Sequence, residues 1–480
     1  MVFSDLFFLF VFLPAFLLCY LLATWIDRRW LSAEGQRSNR AKNLILVCFS
    51  LIFYAWGEPV YVFLMLFCVL VNYIVGLGIA NLENHRKTVL VIGLILNIAI
   101  IGTFKYLGFL AQCLCDIGIP VAKPNIALPI GISFYTFQSI SYLIDVYRRE
   151  SPVQRRFHDL LLYISMFPQL IAGPIVRYGT VAEEIHHRHV TTADFADGIY
   201  RFLLGLGKKV ILANQLSEIS DQFLVNGLNS LTTAGAWIGI VAFTLQIYFD
   251  FSGYSDMAIG LGRCMGFHFN ENFRHPYCCN SITDFWRRWH ISLGSFFRDY
   301  VYIPLGGNRR HQAVNILVVW FLTGMWHGAS WNFIIWGVYF GLIVMIEKYT
   351  LLKVHDRIPA FLLHIYSMLL VVAGWGIFYF DNFDQMLVFF QAFFGNVASA
   401  YDFVDESALL DNFWLWIVAL CFCLPIRTTV AQWADRLLGD SSVKTVVVYT
   451  SRVVISLAIL ILSTALLVGA TNNAFIYTRF

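Results

Sequence analysis

Charge is scarce in this sequence. Lys, Arg, Asp and Glu make up 13% of its 480 residues, about half the share of an ordinary globular domain. So few charges cannot cover a water-exposed surface, which excludes a soluble enzyme and a disordered chain. The charges also nearly balance. Thirty-three basic against thirty acidic residues leave a net +3, too little to suggest a nucleic-acid partner. Ten cysteines are present, but the pairs Cys113/Cys115, Cys278/Cys279 and Cys421/Cys423 lack the spacing of a zinc or disulfide framework. No metal site is expected. There is no Gly-x-Ser-x-Gly, hence no nucleophile elbow, and no His-Glu-x-x-His, hence no zincin site. The Gly-rich turn 304–309 lacks the Lys-Ser/Thr of a phosphate loop. No fixed-period repeat, low-complexity tract or linker interrupts the chain, and no cleavable signal peptide is evident. The first apolar run, 6–26, is long enough to span, and its basic residues follow it.

What is abundant is apolar surface. Hydrophobic residues reach 59% and aromatics 17%. This composition predicts an all-α, polytopic membrane protein, because a span needs about 20 apolar residues. Of thirteen apolar stretches, about eleven are expected to be true transmembrane helices. Several of the stretches, 160–175 included among the candidate spans, are short or broken by Gly and Pro, so some must be re-entrant or tilted, beside amphipathic helices. Irregular backbone at membrane depth must be covered by protein or line a cavity. Basic loops follow the first span (Arg28, Arg29, Arg37, Arg40, Lys42), then recur at Arg86–Lys87 and at Arg148, Arg149, Arg155 and Arg156. The intervening loops carry only Lys123. This alternation puts the N- and C-termini outside. The whole chain, 1–480, reads as one integral membrane domain, with a core at about 128–347, C-terminal helices at 361–470 and a tail at 471–480.

The unusual polar residues lie between Phe249 and His327. Asp250, Ser252 and Asp256 sit at the end of an apolar run. An intramembrane carboxylate costs about 2.5–3.5 kcal/mol, so two of them imply a polar cavity. The plainer alternative is that each caps a helix or pairs with an arginine. Further on, 281–300 winds as one amphipathic helix, with Thr283 or Asp284 as N-cap. His290 would then share a face with Trp286, Leu293, Gly294 and Phe297, while Arg288, Ser292 and Asp299 lie opposite. A histidine so placed is either a satisfied core residue or a working imidazole. His327, bracketed by Gly324 and Gly328, falls deep in the membrane by the loop count. An imidazole there can serve as general base for a hydroxyl attacking a carbonyl.

Five stretches together resemble the membrane-bound O-acyltransferases, in the bacterial branch that O-acetylates exopolysaccharides such as alginate. They are 128–138 (LPIGISFYTFQ), 167–174 (FPQLIAGP), 249–260 (FDFSGYSDMAIG), 285–293 (FWRRWHISL) and 326–328 (WHG). The resemblance implies a ring of helices around a tunnel across the membrane. It implies His327 and His290 as the catalytic histidines, with Asp250, Ser252 and Asp256 as polar residues of the tunnel. The donor would be an acyl thioester, acetyl-CoA or an acyl-carrier thioester, entering from the cytosol. No tightly bound cofactor is expected.

On this reading Arg287, Arg288, Arg298, Arg309 and Arg310 attract the phosphates of the donor, with headgroup anchoring as the alternative. His290 orients the thioester or stabilises its carbonyl oxygen. The ending 475–480 (FIYTRF) resembles a tail of this branch in which a tyrosine relays the acyl group, making Tyr477 a relay candidate. An interfacial aromatic anchor is the alternative there. The expected partners are the lipid bilayer of the bacterial inner membrane, an exported SGNH-hydrolase-like acetyltransferase and the polysaccharide synthesis and export machinery. Two rival readings stand beside it. One is D-alanyl transfer to teichoic acid from an acyl-carrier protein. The other is a transporter or export channel in which Asp250, Asp256 and His327 relay protons, although no inverted repeat is visible.

Overall fold

The computed structural model describes residues 1–31, 38–438, 442–470 and 475–476. Helices dominate, and no strand occurs among the described residues. Among the described residues seven helices are long and apolar enough to cross a membrane, or eight if the bent pair Phe403–Leu410 and Phe413–Cys423 is one span. The expected count of eleven is not confirmed. Several apolar stretches fold as helices shorter than a full span, such as Gln312–His327, or break. The stretch 160–175 breaks at Met166, whose ψ of 112° ends the helix Phe157–Ser165. Every residue from Asp159 to Val176 is buried. The irregular backbone there is covered by protein, as membrane depth demands.

Contacts divide the chain into two compact units. The first comprises Met1–Phe202 and Tyr254–Asn270, the second Leu203–Gly253 and Glu271–Ile476. The helix Thr233–Met265 contributes to both, its residues up to Gly253 to the second and those from Tyr254 to the first.

In the first unit the core is aromatic: Phe3, Phe8, Phe12, Phe53 and Phe167 pack ring against ring at 5.0–6.4 Å. Two of the sequence stretches meet here. Gly131 takes φ 78° just before the helix Ile132–Arg148, and a Cβ at this position would lie 2.8 Å from the carbonyl oxygen of Leu170. Only glycine allows both the left-handed turn and that approach. The buried Asp27 carboxylate accepts from the amides of Ala41 and Lys42, each at 3.0 Å, and so caps the helix Arg40–Gly57.

The second unit is centred on large indoles. Trp289, Trp336 and Trp375 are fully buried. The spans differ in how much protein surrounds them. The most apolar window of Thr233–Met265 is 78% buried, whereas that of Val443–Gly469 is only 11% buried and leaves its apolar side chains for lipid.

Candidate active site

His327 ends the apolar helix Gln312–His327. The helix rises about 22 Å from Gln312 to the histidine, which separates the imidazole from the basic turn at Arg309–His311. His327 is 3% exposed. Its ring lies edge-on to Trp336 at 4.9 Å, Trp326 at 5.0 Å and Phe378 at 5.3 Å. This aromatic box comes from three helices, Gln312–His327, Trp331–Tyr349 and Ala360–Tyr379. It holds together because two backbones nearly touch. A Cβ on Gly324 would meet the Phe333 carbonyl oxygen at 2.3 Å, and one on Gly337 the Trp320 carbonyl oxygen at 2.4 Å. The glycine before His327 therefore serves helix packing.

His290 departs from the expected continuous helix. The chain is helical over Ile282–Arg288 and again over Ile291–Phe297, but Trp289 is extended and His290 is left-handed, with φ 44°. The period-3.6 pattern therefore fails across this break, and Ser292 lies beside His290 instead of opposite it. The cap also differs. Ser281, not Thr283 or Asp284, caps the first helix, its hydroxyl accepting from the Asp284 amide at 2.9 Å.

The break aims the imidazole inward. His290 is 2% exposed, edge-on to Phe251 at 4.6 Å and to Trp326 at 5.6 Å. Both histidines thus contact the same indole, that of Trp326. The Nδ1 of His290 lies 3.2 Å from the side-chain oxygen of Asn272. That atom must be oxygen, because the backbone amide of Ser292 donates to it at 3.1 Å. An acceptor there selects the tautomer protonated at Nδ1, leaving Nε2 as the basic nitrogen. The histidine lies outside the segments long enough to span, and burial pushes its pKa down to about 3, so the ring is neutral.

Asp250 is 1% exposed and pairs with Lys209 at 2.6 Å. Its partner is a lysine, not the arginine of the plainer alternative. The other carboxylate oxygen accepts from the backbone amide of Ile476 at 2.8 Å. The Lys209 ammonium also sits 4.7 Å from the ring centre of Phe475, itself 1% exposed. The pair therefore grips residues 475–476. Tyr477 lies outside the described residues. Ser252 is buried in this same unit. Asp256 belongs to the other unit, where it forms an ion pair with Arg201 at 2.8 Å. Both carboxylates have a basic partner, a poor arrangement for the proton relay of the transporter reading.

Comparison with known proteins decides the class. The pattern of the membrane-bound O-acyltransferase family matches residues 148–390. The chain is 42% identical to a "probable alginate O-acetylase" of Pseudomonas aeruginosa over 82% of its own length and 75% of that protein. It is 33% identical to a peptidoglycan O-acetyltransferase of Helicobacter pylori, over 81% of the chain and 78% of that protein. To a teichoic acid D-alanyltransferase of Bacillus subtilis it is 29% identical over 46% of the chain and 59% of that protein. The chain belongs to the membrane-bound O-acyltransferase family.

As a membrane-bound O-acyltransferase it is a multi-pass membrane enzyme, and both histidines and the basic stretch fall within the matched residues. The basic residues of this acyltransferase are not equivalent. Arg288 pairs with Asp284 at 2.9 Å and Arg298 with Asp299 at 2.7 Å. Arg287, Arg309 and Arg310 are exposed, which leaves them the more available for an anionic donor.

Two buried charges that contact the elements carrying the candidate site residues were missed in the sequence. Glu347 is fully buried, and its carboxylate accepts from the amides of Ile282 and Thr283 and from the Thr283 hydroxyl at 2.7–2.8 Å. It thereby ties the helix leading into His290 to the helix that follows His327. Lys209 is the other. Both are charges inside apolar runs, the same signal that singled out Asp250.

Proposed function

We propose that this acyltransferase moves an acetyl group from a cytosolic thioester across the membrane, for O-acetylation of an exopolysaccharide of alginate-like or cellulose-like kind. The observation that carries this reading is the pair of buried imidazoles that contact one indole, Trp326. The relatives named as an alginate O-acetylase and a peptidoglycan O-acetyltransferase support acetyl transfer to a glycan.

In this mechanism acetyl-CoA is the donor, and Arg287, Arg309 and Arg310 draw its phosphates to the inner mouth. His327 accepts the proton of an acceptor hydroxyl as its oxygen attacks the thioester carbonyl. The carbon–sulfur bond then breaks, and the thiolate takes the proton from His327 as it leaves. His290 orients the donor through Nε2, which accepts a hydrogen bond from an amide N–H of the coenzyme's pantetheine arm. Its neutral ring fits that role better than charge stabilisation on the carbonyl oxygen. Tyr477 is the first acceptor, supported by the hold of Asp250 and Lys209 on the two preceding residues. An exported SGNH-hydrolase-like acetyltransferase then carries the group to the polymer. Both termini face outside, in the bacterial inner membrane.

The test uses purified protein and radiolabelled acetyl-CoA, comparing wild type with His327→Ala and Tyr477→Phe. Label should appear on wild type and be absent from both variants. Labelling of Tyr477→Phe would remove the relay. Label taken only from a holo carrier protein would move the assignment to the D-alanyl type of donor.

A further inference from the structure

The first unit contains a cavity of about 1270 Å³ whose lining includes none of the residues assigned to acyl transfer. Its polar wall carries Arg40, Arg155, Arg156, His158, His186 and His187. One carboxylate, Asp159, also lines the cavity and is 2% exposed. It is braced by the Nε2 atoms of His158 at 3.5 Å and His186 at 3.9 Å. Among the described residues of the lining, three guanidiniums against one carboxylate leave an excess of two positive charges, even with every imidazole neutral.

Apolar residues also contribute to the lining. Leu31 closes the first membrane-spanning helix, Phe8–Leu31, and Leu44 and Val47 lie on the helix Arg40–Gly57. Leu44 is 63% and Leu31 44% exposed. A small hydrated anion gains nothing from these apolar side chains, and a lipid without net charge leaves the excess positive charge of the lining uncompensated. A guanidinium fork matches phosphate oxygens two at a time. Basic pockets at the ends of membrane helices suit acidic headgroups.

We propose that this cavity seats an anionic phospholipid. Its phosphate would lie among Arg40, Arg155 and Arg156, and its acyl chains would run along Leu31, Leu44 and Val47. The site is independent of the acetyl-transfer reading, since no residue assigned to that chemistry lines it.

The test measures lipid retained by the full-length purified protein, by native mass spectrometry after exposure to mixed vesicles of dioleoyl phosphatidylglycerol and dioleoyl phosphatidylcholine. Wild type should retain phosphatidylglycerol over phosphatidylcholine by roughly tenfold or more. The double change Arg155→Gln and Arg156→Gln, at exposed positions, should abolish the preference. The exposed Arg357→Gln, in the other unit, should leave it intact. Equal retention of both lipids overturns the proposal, as does a preference that survives the double change. Displacement of the bound lipid by free coenzyme A would also overturn it, assigning the cavity to a nucleotide phosphate.

Discussion

Replacing His327 by alanine removes the imidazole but leaves the Trp326, Trp336 and Phe378 box around a small void. The expected result is a loss of polymer acetylation of about 10²–10⁴-fold, with the protein still accumulating in the membrane. Acetate content of the isolated polysaccharide measures it, and a wild-type content would remove His327 from the chemistry. Asp250 calls for a different design, because Asp250→Asn leaves the Lys209 ammonium buried beside a neutral amide. Breaking a buried ion pair costs about 3–5 kcal/mol, so this variant should accumulate poorly. The paired change Lys209→Met with Asp250→Leu removes both charges. It should restore accumulation, seen by blotting, and leave acetylation low, because nothing then holds the amide of Ile476. Restored acetylation would make the pair purely structural. At this scale the sequence was legible where a polar group stood out against an apolar run, as Asp250, His290 and His327 did. Their partners were not. Lys209 is 41 residues from Asp250, and Asn272 is 18 from His290. No local pattern joins residues so far apart in the chain.

The elements that carry the histidines depend on two contacts. Gly324→Val would drive a branched side chain into the Phe333 carbonyl, since even a Cβ would lie 2.3 Å from it. Overpacking of this kind costs about 1–3 kcal/mol. It should lower the thermal-shift midpoint and the acetylation rate together. Glu347→Gln replaces one acceptor oxygen by a donor facing amide donors. The expected cost is about 2–3 kcal/mol, and activity should fall further than stability alone explains, because the helix Ile282–Arg288 leads directly into His290. Unchanged activity in a destabilised Glu347→Gln protein would detach this helix from catalysis. Helical patterning was legible on both sides of Trp289. The break was not, because a left-handed histidine has no signature in a period-3.6 pattern. Ser281 gained the cap for a related reason. Glu347 already binds Thr283, leaving the serine hydroxyl to meet the Asp284 amide.

For the whole molecule, composition alone established the class, since 59% apolar residues admit no other. The number of spans was less legible. Apolar length does not distinguish a helix that crosses from one that is merely covered, and the buried stretch 160–175 is as apolar as many spans. Orientation can be tested on a cysteine-free background. Asn125→Cys should react with an impermeant maleimide from outside, and Arg149→Cys should not. The reverse pattern would invert the topology. The uneven burial of the spans has a further consequence. The helix Thr233–Met265, about 50 Å long, exceeds the roughly 30 Å hydrocarbon thickness of a bilayer, yet it is mostly sheathed in protein and takes its length from that protein. Val443–Gly469 is almost bare and must match the lipid around it. Lengthening or shortening the host acyl chains should therefore tilt the bare helix first, at a fraction of a kcal/mol per ångström of mismatch, leaving the sheathed one as the rigid strut of the enzyme.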